Sequence, residues 1–240
     1  MNSQGLIDYR NIDLWNRLNN IQEIEIQFEN RKDYLVSSKN KNSIIYIPSE
    51  NIDSASFTHE LLHIDLWAKQ IFIGAGLKGS IRENRLLSRI ISFACIDHIS
   101  NCLQHMKMLP EFIQMGYSVE DFLLDYKENK LTDEEVLKIQ THFVVVNEDI
   151  KKYKASIIDL YIGKYFAAIS CPNISIDYSN QLNSFRNLDP ELFQILEKFV
   201  SAWNDFDHNY EDPVFGRNYN DFLNDFILDM GNWVKGKTII

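Results

Sequence analysis

Residues 23–29, EIEIQFE, set Ile24, Ile26 and Phe28 against Glu25 and Gln27. A hydrophobic period of two marks a half-buried strand. Downstream, YLVSS and SIIYIP flank KNKN and read as a hairpin ending at Pro48. With a short helix around Leu14, these patterns predict a small sheet in residues 1–50. After PSENIDS the period changes. Phe57, Leu61, Ile64, Ala68 and Ile71 recur at spacings of four and three, the signature of one buried helical face, with Asp53 or Ser54 as its N-cap. Gly74, Gly76 and Gly79 then predict the helix end and a flexible connection.

The helical pattern resumes over residues 80–109 and is closed by Pro110, with a short helix after it to about Met115. Thr132 and Glu135 form a capping-box pair that opens a helix running towards Tyr165. Pro190 suits a first helical turn, and residues 218–234 are again helical. No repeat or low-complexity tract interrupts the chain. The expected fold class is α+β: a small N-terminal antiparallel sheet or hairpin (1–50), then a mostly helical part (51–240), in one domain.

Composition narrows the function without naming it. Hydrophobic residues make up 45% and charged ones 24%, an ordinary globular balance. A net charge of −10 argues against general nucleic-acid binding, which needs clustered Lys and Arg. No apolar run reaches the roughly 18–20 residues that span a bilayer, and the N-terminus lacks a basic start before an apolar core. Cys95, Cys102 and Cys171 are too few for a disulfide framework. A cytoplasmic protein, free of membrane and nucleic acid, is expected.

The chemistry concentrates in SFTHELLHIDLW, residues 56–67. On a helix, His59 and His63 lie one turn apart on one face, so their ring nitrogens can meet at one ion. Glu60, beside His59, is placed to act as general base on a water at that ion. With six histidines in the chain, chance yields roughly 0.01 such patterns. The plain alternative is two histidines on a solvated face. The histidine face is expected opposite the Phe57/Leu61/Ile64 stripe.

THELLHIDL resembles the active-site helix of the zincin metallopeptidases, in which a sheet precedes the helix. The resemblance covers about a tenth of the chain. It implies Zn²⁺ held by His59 and His63, Glu60 as the catalytic residue, and a peptide or protein substrate.

A catalytic zinc takes three protein ligands and keeps an open position. The metzincin pattern would need a Gly at Leu66 and a ligand at Lys69, which excludes that subclass. Glu83 has the gluzincin spacing, but Arg82 and Leu87 replace that group's Asn and Asp. In the rival segment, Ile91, Ala94, His98, Asn101, His105 and Leu109 share a face at 100° per residue. His105 is the first choice as third ligand. Asn101 and His98 are candidates for orienting ligands or substrate, and Glu83 is the alternative ligand. The segment also resembles compact bacterial HExxH proteins, in which an N-x-x-acid-H helix leads into a Gly-aromatic…Phe element; Gln104 replaces the acid here. Cys95 and Cys102 read as buried thiols, since one straight helix cannot wrap four ligands round an ion. Arg82, Arg85 and Arg89 could hold a substrate carboxylate, and His208 or a tyrosine could stabilise an oxyanion. A peptide is expected to add along the hairpin edge at NSIIYIP.

The leading expectation is a zinc-dependent hydrolase, a peptidase. The rival is a zincin-fold regulatory or protein-interaction module whose metal site is structural or vestigial.

Overall fold

A computed structural model describes residues 5–147, 150–208 and 219–240. The fold class is α+β, with an N-terminal sheet followed by helices. The chain divides into two compact units: residues 1–72 with 106–127, and residues 73–105 with 128–240.

The first unit opens with helix α1 (Ile12–Ile21) and strands β1 (Glu23–Glu29), β2 (Leu35–Lys39) and β3 (Asn42–Pro48). The hairpin β2–β3 is antiparallel, whereas β1 joins β3 in parallel, so the order is β1-β3-β2. The strand expected at the rim, NSIIYIP, is therefore the central one, and β1 and β2 are the edges. Ile45 and Ile47 are fully buried, which explains why the most apolar strand takes the middle.

Helix α2 (Ser54–Ala68) starts at Asp53, whose carboxylate accepts a hydrogen bond from Ser56 N–H at 2.7 Å. It packs against α1, β2 and β3. The expected two-faced helix is instead buried nearly all round: Thr58, Glu60, Leu62, His63, Asp65 and Leu66 are buried along with the Phe57/Leu61/Ile64 stripe. Asp65 is 1% exposed and held by Arg17 at 2.5 Å and Lys69 at 2.6 Å. An apolar stripe thus identified the helix but understated its burial.

The glycines after α2 do not form a flexible connection. Helix α3 (Ile73–Glu83) contains all three. A Cβ on Gly74 would stand 2.7 Å from Ser100 Oγ, so this glycine permits a close helix crossing. The long helix expected over residues 80–109 breaks after Glu83, passes a short 3-10 turn (Leu87–Arg89), and resumes as α4 (Phe93–Gln114). Pro110 lies inside α4 rather than closing it. Residues 93–105 of α4 belong to the second unit and 106–114 to the first.

In the second unit the Thr132–Glu135 capping box opens α5 (Asp133–His142). The helix expected to run on to Tyr165 is interrupted by a hairpin of β4 (Val144–Asn147) and β5 (Ile150–Tyr153), then continues as α6 (Ala155–Ile169). The run VVV is β-branched and loses side-chain freedom in a helix, which favours the strand. Strand β6 (Thr238–Ile239) completes this second three-stranded sheet. Helices α7 (Ser179–Leu188), α8 (Pro190–Asp205) and α9 (Tyr219–Val234) pack in sequence, and Pro190 opens α8. Among the described residues, no helix is long and apolar enough to cross a membrane.

Candidate metal centre

Three histidines converge. One ring nitrogen each from His59, His63 and His105 lies within 4.8 Å of the others. The Nε2 atoms of His59 and His63 are 3.2 Å apart. Two nitrogens at zinc-bond length on tetrahedral corners stand about 3.3 Å apart. His63 and His105 are buried, and His59 is half-buried. The donor set is three imidazole nitrogens, which suit zinc and other first-row transition metals. The spacing and chemistry of the three rings therefore fit a divalent ion of that kind.

The elements explain the convergence. Helix α2 supplies the i, i+4 pair, and α4 carries His105. The part of α4 that follows, residues 106–114, belongs to the first unit. Gly116, with φ +92°, ends that stretch in the left-handed region that favours glycine. The reversal seats Tyr117 and Phe122 beneath α2. The Phe122 ring lies 4.7 Å from the His59 ring and 5.1 Å from Phe112, which in turn stacks on Tyr117 at 4.8 Å. Tyr117 Oη meets Ser54 Oγ at 2.7 Å and Thr58 Oγ1 at 2.9 Å, and Asn11 Nδ2 donates to Thr58 Oγ1 at 2.9 Å. Arg10 caps the Tyr117 ring at 4.0 Å and pairs with Asp8 at 2.6 Å. This buried polar cluster fixes the N-terminal turn of α2, and with it the direction of His59.

Burial, reinforced by the neighbouring His63 ring, holds the His59 pKa well below its usual value, against a hydrogen bond to the Phe122 backbone. The ring is thus kept neutral, the form that ligates a metal. Burial pushes the Glu60 carboxyl up to about 7, while a hydrogen bond from Val36 N–H and the charge of Arg31 oppose the rise. A carboxyl near neutrality matches what a general base needs.

The remaining candidates lie elsewhere. His98 and Asn101 are exposed on α4, so the expected polar core stripe is not a core face there. His98 Nε2 lies 3.1 Å from the Gly163 carbonyl. The buried side of α4 is formed instead by Cys95, Ile96, Ile99, Cys102 and Leu103. Glu83 is exposed at the end of α3. Arg82 and Arg85 are exposed, and Arg89 donates to the Ile239 carbonyl at 3.1 Å. His208 follows α8, just before residues 209–218, which lie outside the described residues. Burial pushes the Cys95 thiol up, leaving it protonated and inert. Sequence reasoning missed the partners that orient the pair, Phe122 and Tyr117; the Gly-Tyr dipeptide with a Phe five residues on was their only signal.

No protein-family model, curated protein or solved structure matches the chain.

Proposed function

We propose that the protein is a zinc-dependent hydrolase of the zincin type, acting on peptide bonds. The observation that carries this reading is the convergence of His59 and His63, on the buried helix that also bears Glu60, with His105 of α4. Among the described residues no fourth His, Cys, Asp or Glu joins the group, which supports an open position over a closed structural site.

A zinc ion held by these nitrogens would lower the pKa of its water towards about 7 and polarise a substrate carbonyl. Glu60 takes the proton of the attacking water and returns it to the leaving amine. The buried surroundings of Glu60 raise its proton affinity, so the same carboxyl serves as base and then as acid. Phe122 and the Tyr117 cluster hold the His59 ring in place while this happens.

The test is to measure bound metal and then compare wild type with Glu60→Gln on a peptide library. The expected result is stoichiometric zinc in both proteins, with cleavage at least about a hundredfold slower in the variant. Equal cleavage by both, or zinc without cleavage by either, would overturn the peptidase reading.

A further inference from the structure

Between β1 and β2 the chain must pass over the C-terminal end of the central strand β3. Residues 30–34 make that crossing, and Tyr34 pins it to the start of α2. Its hydroxyl donates to the Asn51 carbonyl and accepts from Asp53 N–H, both at 2.8 Å. The crossing carries Arg31 over the Tyr46 ring, with the guanidinium 5.6 Å from the ring centroid. Tyr46 pairs with Leu35, the residue next to Val36 in β2. Val36 N–H in turn donates to Glu60. Arg31 therefore stands at the end of the edge strand to which the candidate base is bonded.

The guanidinium is held but not consumed. Its Nε donates to the Asp33 carbonyl at 2.5 Å, and Nη1 lies 3.6 Å from the Glu29 carboxylate, too long for a hydrogen bond. Nη2 has no protein partner among the described residues, and the side chain is 25% exposed. A planar cation fixed by an aromatic face and one carbonyl, with an open N–H edge, is suited to bind a carboxylate.

We propose that Arg31 is a specificity residue that holds a substrate carboxylate beside the candidate site. This rests on the hydrolase reading and sharpens it: the substrate carries an anion close to the bond that is cut. That anion is either a free C-terminal carboxylate or an acidic side chain. Arg31 makes no bond to the reacting atoms, so its effect belongs in substrate binding.

Calorimetry on zinc-loaded protein tests this without relying on turnover. Two probe pairs separate the sources: N-acetyl-dialanine against its C-terminal amide, and N-acetyl-glutamate amide against N-acetyl-glutamine amide. One carboxylate of the two pairs should bind at least about tenfold tighter than its neutral partner. Arg31→Gln should bring that ratio to near one, Arg31→Lys should restore part of it, and Lys32→Gln, on the same crossing, should leave it unchanged. A ratio near one for both pairs in wild type, absence of binding included, overturns the proposal, as does a ratio that survives Arg31→Gln. If the preference behaves as expected but wild type cleaves nothing, Arg31 stands and the peptidase reading fails. If peptides are cleaved without any carboxylate preference, the reverse holds.

Discussion

Two helices, α2 and α4, carry four of the six histidines between them, and they use them differently. In α2 almost every position is buried, and there the ring nitrogens of His59 and His63 meet that of His105. In α4 the histidines part company: His105 is buried in the group, while His98 faces outwards and meets the Gly163 carbonyl. The same residue type on a regular helix thus gains a role only where neighbouring elements exclude water around it. Burial, more than spacing, separates a candidate ligand from a surface imidazole.

The contrast can be broken first through stability. Leu61→Ala in α2 should cost about 2–5 kcal/mol of unfolding free energy, because Leu61 is fully buried. Asn101→Ala on the outer face of α4 should change it by less than about 0.5 kcal/mol. Denaturant unfolding monitored by circular dichroism distinguishes the two, and similar losses would contradict the burial contrast. Metal affinity sharpens the same point. His63→Ala should weaken zinc binding about a hundredfold or more, since even removal of a group that only supports a ligand costs about 10–100-fold.

The α2 face was readable because its apolar period and its His-Glu-x-x-His spacing agree, and both are local. So were the Asp53 cap, the capping box at Thr132 and the turn at Pro190. What could not be read is set by distant neighbours. Gly74 looks like a helix breaker until Ser100 is seen against it, and Pro110 looks like a stop although α4 runs through it. The hairpin at Val144–Tyr153 interrupts a sequence that also suits a helix, and β6 pairs with it from the other end of the chain. In the site, His59, Glu60, His63 and His105 were all singled out from spacing. Phe122 and Tyr117 were not, because a ring's role in orienting another ring depends on the fold.

Gly74→Ala tests the packing side of this lesson. Overpacking against Ser100 costs about 1–3 kcal/mol, and the better helix propensity of Ala offsets up to about 1 of it. A net loss of about 1 kcal/mol is expected by thermal unfolding; a gain would mean the glycine is there for flexibility after all. The smallest effect concerns pH. Arg10, through its side-chain hydrogen bonds, holds the Asp8 carboxyl well below the usual carboxylate range, against the effect of burial and with help from Ser54. A lowered folded-state pKa contributes stability above the unfolded value of about 4, and that stability is lost as pH falls below it. Asp8→Asn should therefore flatten the acid limb of the stability profile between about pH 4 and 2, by under about 1 kcal/mol. An unchanged profile would remove Asp8 from the cluster that steadies α2.

The central claim is that His105, and not His98, completes a metal site with the α2 pair. Zinc titrated into metal-free wild type, His105→Ala and His98→Ala, followed by calorimetry, tests it most directly. One ion per chain is predicted for wild type and His98→Ala with matching affinity, and a loss of about a hundredfold for His105→Ala. Wild-type affinity in His105→Ala would contradict the account.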